Sequence, residues 1–149
     1  MAKKTSGKND EIVTSVTVAL ELDVPRERLF AVISDPRMLP RWAQPVKAIR
    51  GEGAKAEIDY ELPEGSVVCR FDRAVDEASG VTDWTVHVPG ADPIRVYSRA
   101  VGLGGARSAF VVTLVSPPMP KNRAKDLYAM VEENLTKDME KVRALVGAK

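Results

Sequence analysis

Between residues 46 and 115 the chain alternates apolar and polar residues in one segment after another, and only short turns separate the segments. These segments read as strands, almost without interruption. Ile58, Tyr60 and Leu62 oppose Glu57, Asp59 and Glu61; Val67, Cys69 and Phe71 oppose Val68, Arg70 and Asp72; Thr82, Trp84, Val86 and Val88 oppose Asp83, Thr85 and His87. Further strands are predicted over 46–50, 94–101 and 107–115. The turns carry the expected chemistry: Gly51-Glu52-Gly53, Pro63-Glu64-Gly65, residues 76–80, the Pro89–Pro93 loop and Gly102–Gly105. Residues 12–22 alternate in the same way and read as one long strand ahead of the others, which gives about seven strands. A sheet of this kind has one apolar face, and that face must be covered.

The cover comes from few residues. Asp23 can cap a helix that has Pro25 in its first turn and Leu29, Phe30 and Ile33 on its apolar side; Pro36 should stop it near Ser34. A second short turn can start at Pro36 with Asp35 as its cap, limited by Pro40 and carrying Leu39 and Trp42. Pro117, Pro118 and Pro120 should end the sheet, and one long helix is predicted over 121–146, with Leu127, Val131, Leu135, Val142 and Val146 along one face. The order is strand, two short helices, six strands and one long helix, an α+β pattern.

At 149 residues, with 44% hydrophobic and 29% charged content, the chain suits one folded domain, expected over 12–146, behind a polar tail, residues 1–11, expected to be disordered. The formal net charge is +1, which provides no basic excess for nucleic-acid binding. Cys69 stands alone, so no internal disulfide can form and an oxidising compartment is not needed. Lys3, Lys4 and Lys8 are not followed by an apolar signal core, and no run approaches a membrane span. The expectation is a cytoplasmic protein without a membrane span. Nothing in the sequence fixes the oligomeric state, and a monomer is favoured.

The segment Val24-Pro25-Arg26-Glu27-Arg28-Leu29-Phe30-Ala31-Val32-Ile33-Ser34-Asp35-Pro36, followed by Leu39-Pro40-Arg41-Trp42, resembles the START-like or SRPBCC (Bet v 1-like) superfamily, and within it the polyketide cyclase/dehydrase-like branch. The Gly104-Gly105 turn before the last long strand and the long final helix resemble it too, over about residues 12–146. The resemblance implies an α+β helix-grip fold, a curved antiparallel sheet of about seven strands wrapped around the long C-terminal helix, with two short helices after the first strand. It implies fold rather than chemistry, because that superfamily hosts lipid and hormone carriers, aromatase/cyclases, quinone-binding proteins and chaperone co-activators.

A strongly curved sheet and one helix leave volume between them, and in this fold ligands occupy it. Alternation turns Tyr60, Cys69, Phe71, Trp84, Val86, Val96, Ser98 and Phe110 inward, with Trp42 from the short helices and Leu127 and Val131 from the long one. These are the candidate ligand-binding residues, and each also suits an ordinary core. No catalytic residue stands out. His87 falls on the polar face of its strand, and Cys69 sits in an apolar setting that raises a thiol pKa. One His, one Cys and scattered carboxylates make no metal site, the glycine turn is no phosphate loop, and no cofactor is expected. Arg95, Tyr97 and Arg99 share a face that is expected outside; pointing inward, they would suit a cyclase that binds an acidic or polyphenolic substrate. The leading expectation is a binder of a hydrophobic small molecule such as a lipid, quinone or polyketide-like compound. A cyclase/aromatase-like enzyme and a protein-interaction module like the chaperone co-activators are the alternatives.

Overall fold

The computed structural model describes residues 10–148. Strands β2 (Ser15–Leu22), β3 (Val46–Arg50), β4 (Glu57–Leu62), β5 (Gly65–Asp76), β6 (Val81–His87), β7 (Ile94–Gly104) and β8 (Arg107–Val115) form one seven-stranded sheet in the order β2-β8-β7-β6-β5-β4-β3. Every neighbouring pair is antiparallel. Between β2 and β3 lie helix α1 (Arg26–Ile33), a 3-10 turn (Pro36–Met38) and the single-turn helix α2 (Leu39–Trp42). The sheet wraps around the 26-residue helix α3 (Lys121–Val146), the helix-grip arrangement. Gly147 ends that helix with φ 74°, and its amide and that of Ala148 donate to Ala144 and Arg143 carbonyls.

Alternation sorts the two faces of the sheet. Val16, Ile58, Phe71, Val86, Val96 and Phe110 are each at most 2% exposed, all on the inner face. Outside lies a layer of charge: Arg50 on Asp59 at 2.7 Å, Arg70 on Asp72 at 3.0 Å, His87 Nε2 on Asp72 at 2.6 Å, and Arg99 on Asp83. Such exposed pairs add little stability, and they shield the sheet from other chains.

Four local expectations need correction. The strand read over 12–22 is two: β1 (Glu11–Ile12) leaves the main sheet and pairs with β9 (Met119–Pro120) in a separate two-stranded clasp. The switch is made at Thr14, whose amide donates to Ser116 Oγ at 3.1 Å while its carbonyl accepts from the Ser116 amide at 2.8 Å. The prolines therefore end the main sheet without ending strand pairing; Pro120, which has no N–H, sits where none is needed. Of the tail expected over 1–11, residues 1–9 lie outside the described residues, and Glu11 already belongs to β1. Asp23 caps nothing, since α1 starts after Pro25 without a side-chain cap; Asp35 does cap the 3-10 turn, accepting from the Arg37 amide at 3.0 Å. Pro40 opens α2 rather than limiting it, as proline can in a first turn.

The β5–β6 hairpin turn is pinned to β7. Gly80, with φ 71°, accepts from the Ala100 amide at 2.9 Å, and a Cβ built on it would lie 2.3 Å from the Ala100 carbonyl oxygen. Gly80→Ala should therefore combine backbone strain with a clash against rigid backbone and lower unfolding stability by about 2–3 kcal/mol in chemical denaturation.

Candidate functional site: an apolar cavity beneath the last helix

Strand register builds the floor of the site. Trp84, Val96 and Leu114 are directly paired across β6, β7 and β8, and form one inward row flanked by Ile94 and Val112. Leu127, Val131 and Leu135 of α3 make the roof. Trp42 and Ala43 from α2, and Tyr60 from β4, close one side. The helix packs along β2 and against α1 and α2, and so does not fill the space over the middle of the sheet. What remains is a cavity of about 160 Å³. It opens toward solvent past Leu62 and Pro63 of the β4–β5 turn, Ser116 and Pro117 after β8, and Met130 and Asn134 of α3.

Six of the candidate residues line this cavity: Trp42, Tyr60, Trp84, Val96, Leu127 and Val131. Cys69, Phe71, Val86, Ser98 and Phe110 are buried on the inner face but lie outside the lining. Two of them buttress it. Phe110 meets Trp42 edge to face at 5.6 Å, and Phe71 meets Trp84 at 5.8 Å. Helix α1 packs over β7 and β8 and covers part of the same apolar face, so facing inward is not the same as facing the void. Burial pushes the Cys69 thiol pKa up, as suits a core position. Arg95 and Tyr97 lie exposed on the outer face, and Arg99 is engaged by Asp83 there. His87, beside Asp72, is on that face as well.

The wall holds a group that the sequence reading passed over. Asp138 of α3 is 3% exposed and lines the cavity. Its Oδ1 accepts from the Gln44 amide at 3.1 Å, tying α3 to the turn after α2. Burial pushes its pKa up to about 6, against the opposing pull of the Gln44 hydrogen bond and the Lys141 charge. Burial also raises the Tyr60 hydroxyl, with smaller contributions from Cys69 and from Asp138, so Tyr60 stays neutral at physiological pH. The indole nitrogens of Trp42 and Trp84 are sealed from water with no acceptor among the described residues. Each such donor costs about 1–3 kcal/mol. Among the described residues no cluster of His, Cys, Asp and Glu could hold a metal ion, and no helix is long and apolar enough to cross a membrane.

Residues 13–147 match the family described as polyketide cyclase / dehydrase and lipid transport. The chain belongs to that family. Among solved structures, the Zhui aromatase/cyclase from Streptomyces sp. R1128 superposes with a TM-score of 0.75 at 17% identity, over 91% of this chain and 94% of that one. A START superfamily protein from Mycobacterium smegmatis does so with a TM-score of 0.69 at 19% identity, over 89% and 97%. Norcoclaurine synthase from Thalictrum flavum, in complex with dopamine and hydroxybenzaldehyde, gives 0.65 at 13% identity, over 93% and 89%. At these identities the likeness is one of fold. Comparison with curated proteins returns no match. Membership of the polyketide cyclase/dehydrase and lipid transport family agrees with a helix-grip domain that keeps an apolar cavity.

Because the folded pKa of Asp138 is raised, the native state favours its protonated form. Its contribution is most favourable below the carboxyl's ordinary range and is lost as pH rises through about 6. Asp138→Asn, neutral throughout, should match the parent protein near pH 4 and exceed it by about 2–3 kcal/mol near pH 8. Urea unfolding of both proteins at the two pH values measures this difference.

Proposed function

We propose that this domain binds a small hydrophobic molecule in the cavity between α3 and the β6–β8 row. The observation that carries the reading is the cavity itself, about 160 Å³, apolar over most of its wall and open at one end. A dry apolar void of roughly 150 Å³ accepts a benzene-sized guest. The ligand, or the part of it that enters, is accordingly about one ring or a short acyl chain in size. A lipid, quinone or polyketide-like molecule would place its remainder in the mouth, along Pro63, Pro117 and Met130. The single buried thiol suits a reducing cytoplasm, where the domain would work as a monomer.

A cyclase/aromatase-like activity has less support. The arginine-bearing strand face that it would use is turned outward, with Arg99 held by Asp83. A chaperone co-activator-like role would call for a filled interior and a contiguous apolar surface patch, and the void argues against the first of these.

Toluene is the simplest test ligand. Isotope-edited NMR should show it shifting the Val96, Val112 and Leu135 methyl groups and the Trp84 indole signal, with a dissociation constant of roughly micromolar to millimolar size. Val112→Phe fills part of the void and should weaken toluene binding about tenfold or more while leaving the thermal midpoint close to the parent's. Failure of toluene, decane and naphthoquinone to move any of these signals at millimolar concentration would refute the small-molecule reading.

A further inference from the structure

Two polar groups interrupt the apolar wall together, and neither is fully used by the fold. Asp138 and Tyr60 both line the cavity, 3% and 5% exposed, and are close enough for the carboxylate charge to disfavour ionisation of the phenol. One Asp138 oxygen takes the Gln44 amide. The described residues offer no partner to its other oxygen or to the Tyr60 hydroxyl, and neither atom is among those sealed from water. In this respect they differ from the Trp42 and Trp84 nitrogens, which are closed off. The pair thus presents an acceptor and a hydroxyl that can donate or accept, at the edge of a void with room for one ring.

We propose that Asp138 and Tyr60 form a hydroxyl-recognition subsite, so that the preferred guest is a single-ring or similarly small apolar compound carrying one hydroxyl, which donates to Asp138 and accepts from Tyr60. The proposal rests on the cavity being a ligand site. A hydroxyl fits better than an ammonium. A cation entering this apolar void would forfeit far more hydration, whereas a neutral hydroxyl completes the unfilled carboxylate at a smaller cost. Other charged groups nearby do not supply the missing donor. Lys141, one turn along α3, acts on Asp138 through its charge alone and forms no hydrogen bond with it, and Glu61 at the mouth is an acceptor.

Phenol, toluene and benzylamine discriminate the possibilities, titrated by NMR into the parent protein, Asp138→Asn and Tyr60→Phe. Phenol is better hydrated than toluene, so the comparison that matters is between proteins for each compound. Each variant should weaken phenol about tenfold more than it changes toluene, the size expected for losing one hydrogen bond to a charged or buried partner. In the parent protein, phenol should also lower the pKa of the Asp138 carboxyl, read from its 13C shift, and toluene should not. That second readout stands even where Asp138→Asn does not fold. Phenol and toluene responding alike to both variants would overturn the subsite and leave the cavity reading intact. Benzylamine binding more tightly than phenol, and depending more on Asp138, would replace the hydroxyl with a cation. Binding of none of the three would remove the cavity reading as well.

Discussion

A mismatch of width governs this molecule. Seven hydrogen-bonded strands at about 4.8 Å spacing make a sheet roughly 30 Å across, while a helix with its side chains is about 10–12 Å thick. One long helix cannot cover such a sheet, so the sheet must curl around it and the short helices must take a share. Helix α3 settles on the β2 side against α1 and α2, and α1 reaches over β7 and β8. The remaining area, over Trp84, Val96 and Leu114, is bridged by Leu127, Val131 and Leu135 without being filled, and the cavity lies there. The void is therefore a consequence of architecture rather than of a packing error at one residue.

The fold was legible in the sequence because its signals are long and redundant. Twelve-residue β5 and eleven-residue β7 each repeat the period-two pattern several times, and α3 repeats its apolar spacing over 26 residues. The two-residue strands β1 and β9 repeat nothing, so their pairing could not be read; it depends on Thr14 meeting Ser116 across a separation visible only in three dimensions. Asp23 and Asp35 illustrate the same limit at helix starts. Both have capping chemistry, and local backbone geometry uses only the second.

The site was legible in part for a related reason. Period-two alternation assigns a face, and it placed Trp84, Val96 and Tyr60 correctly on the inner one. It carries no information about which stretch of that face a neighbouring helix covers, so Ser98 and Phe110 looked equivalent to Val96 although they lie outside the cavity lining. Asp138 did leave a trace. It falls between Leu135 and Val142 at helical spacing, seven residues beyond Val131, an acidic residue in the middle of the apolar stripe of α3. A carboxylate at such a position either caps a neighbouring chain or serves a ligand; here one oxygen does the first and the other is left over.

The β1–β9 clasp reaches the same site from the far end of the chain. Ser116 and Pro117 border the opening of the cavity, and they are held by Thr14 and by the pairing of Glu11 and Ile12 with Pro120 and Met119. The Lys121 amide, at the start of α3, donates to the Asp10 carbonyl. The doorway is thus framed by residues more than a hundred positions apart in sequence: Thr14 latches Ser116 on one side, and residues 10–12 fasten the lead-in to the roof helix on the other.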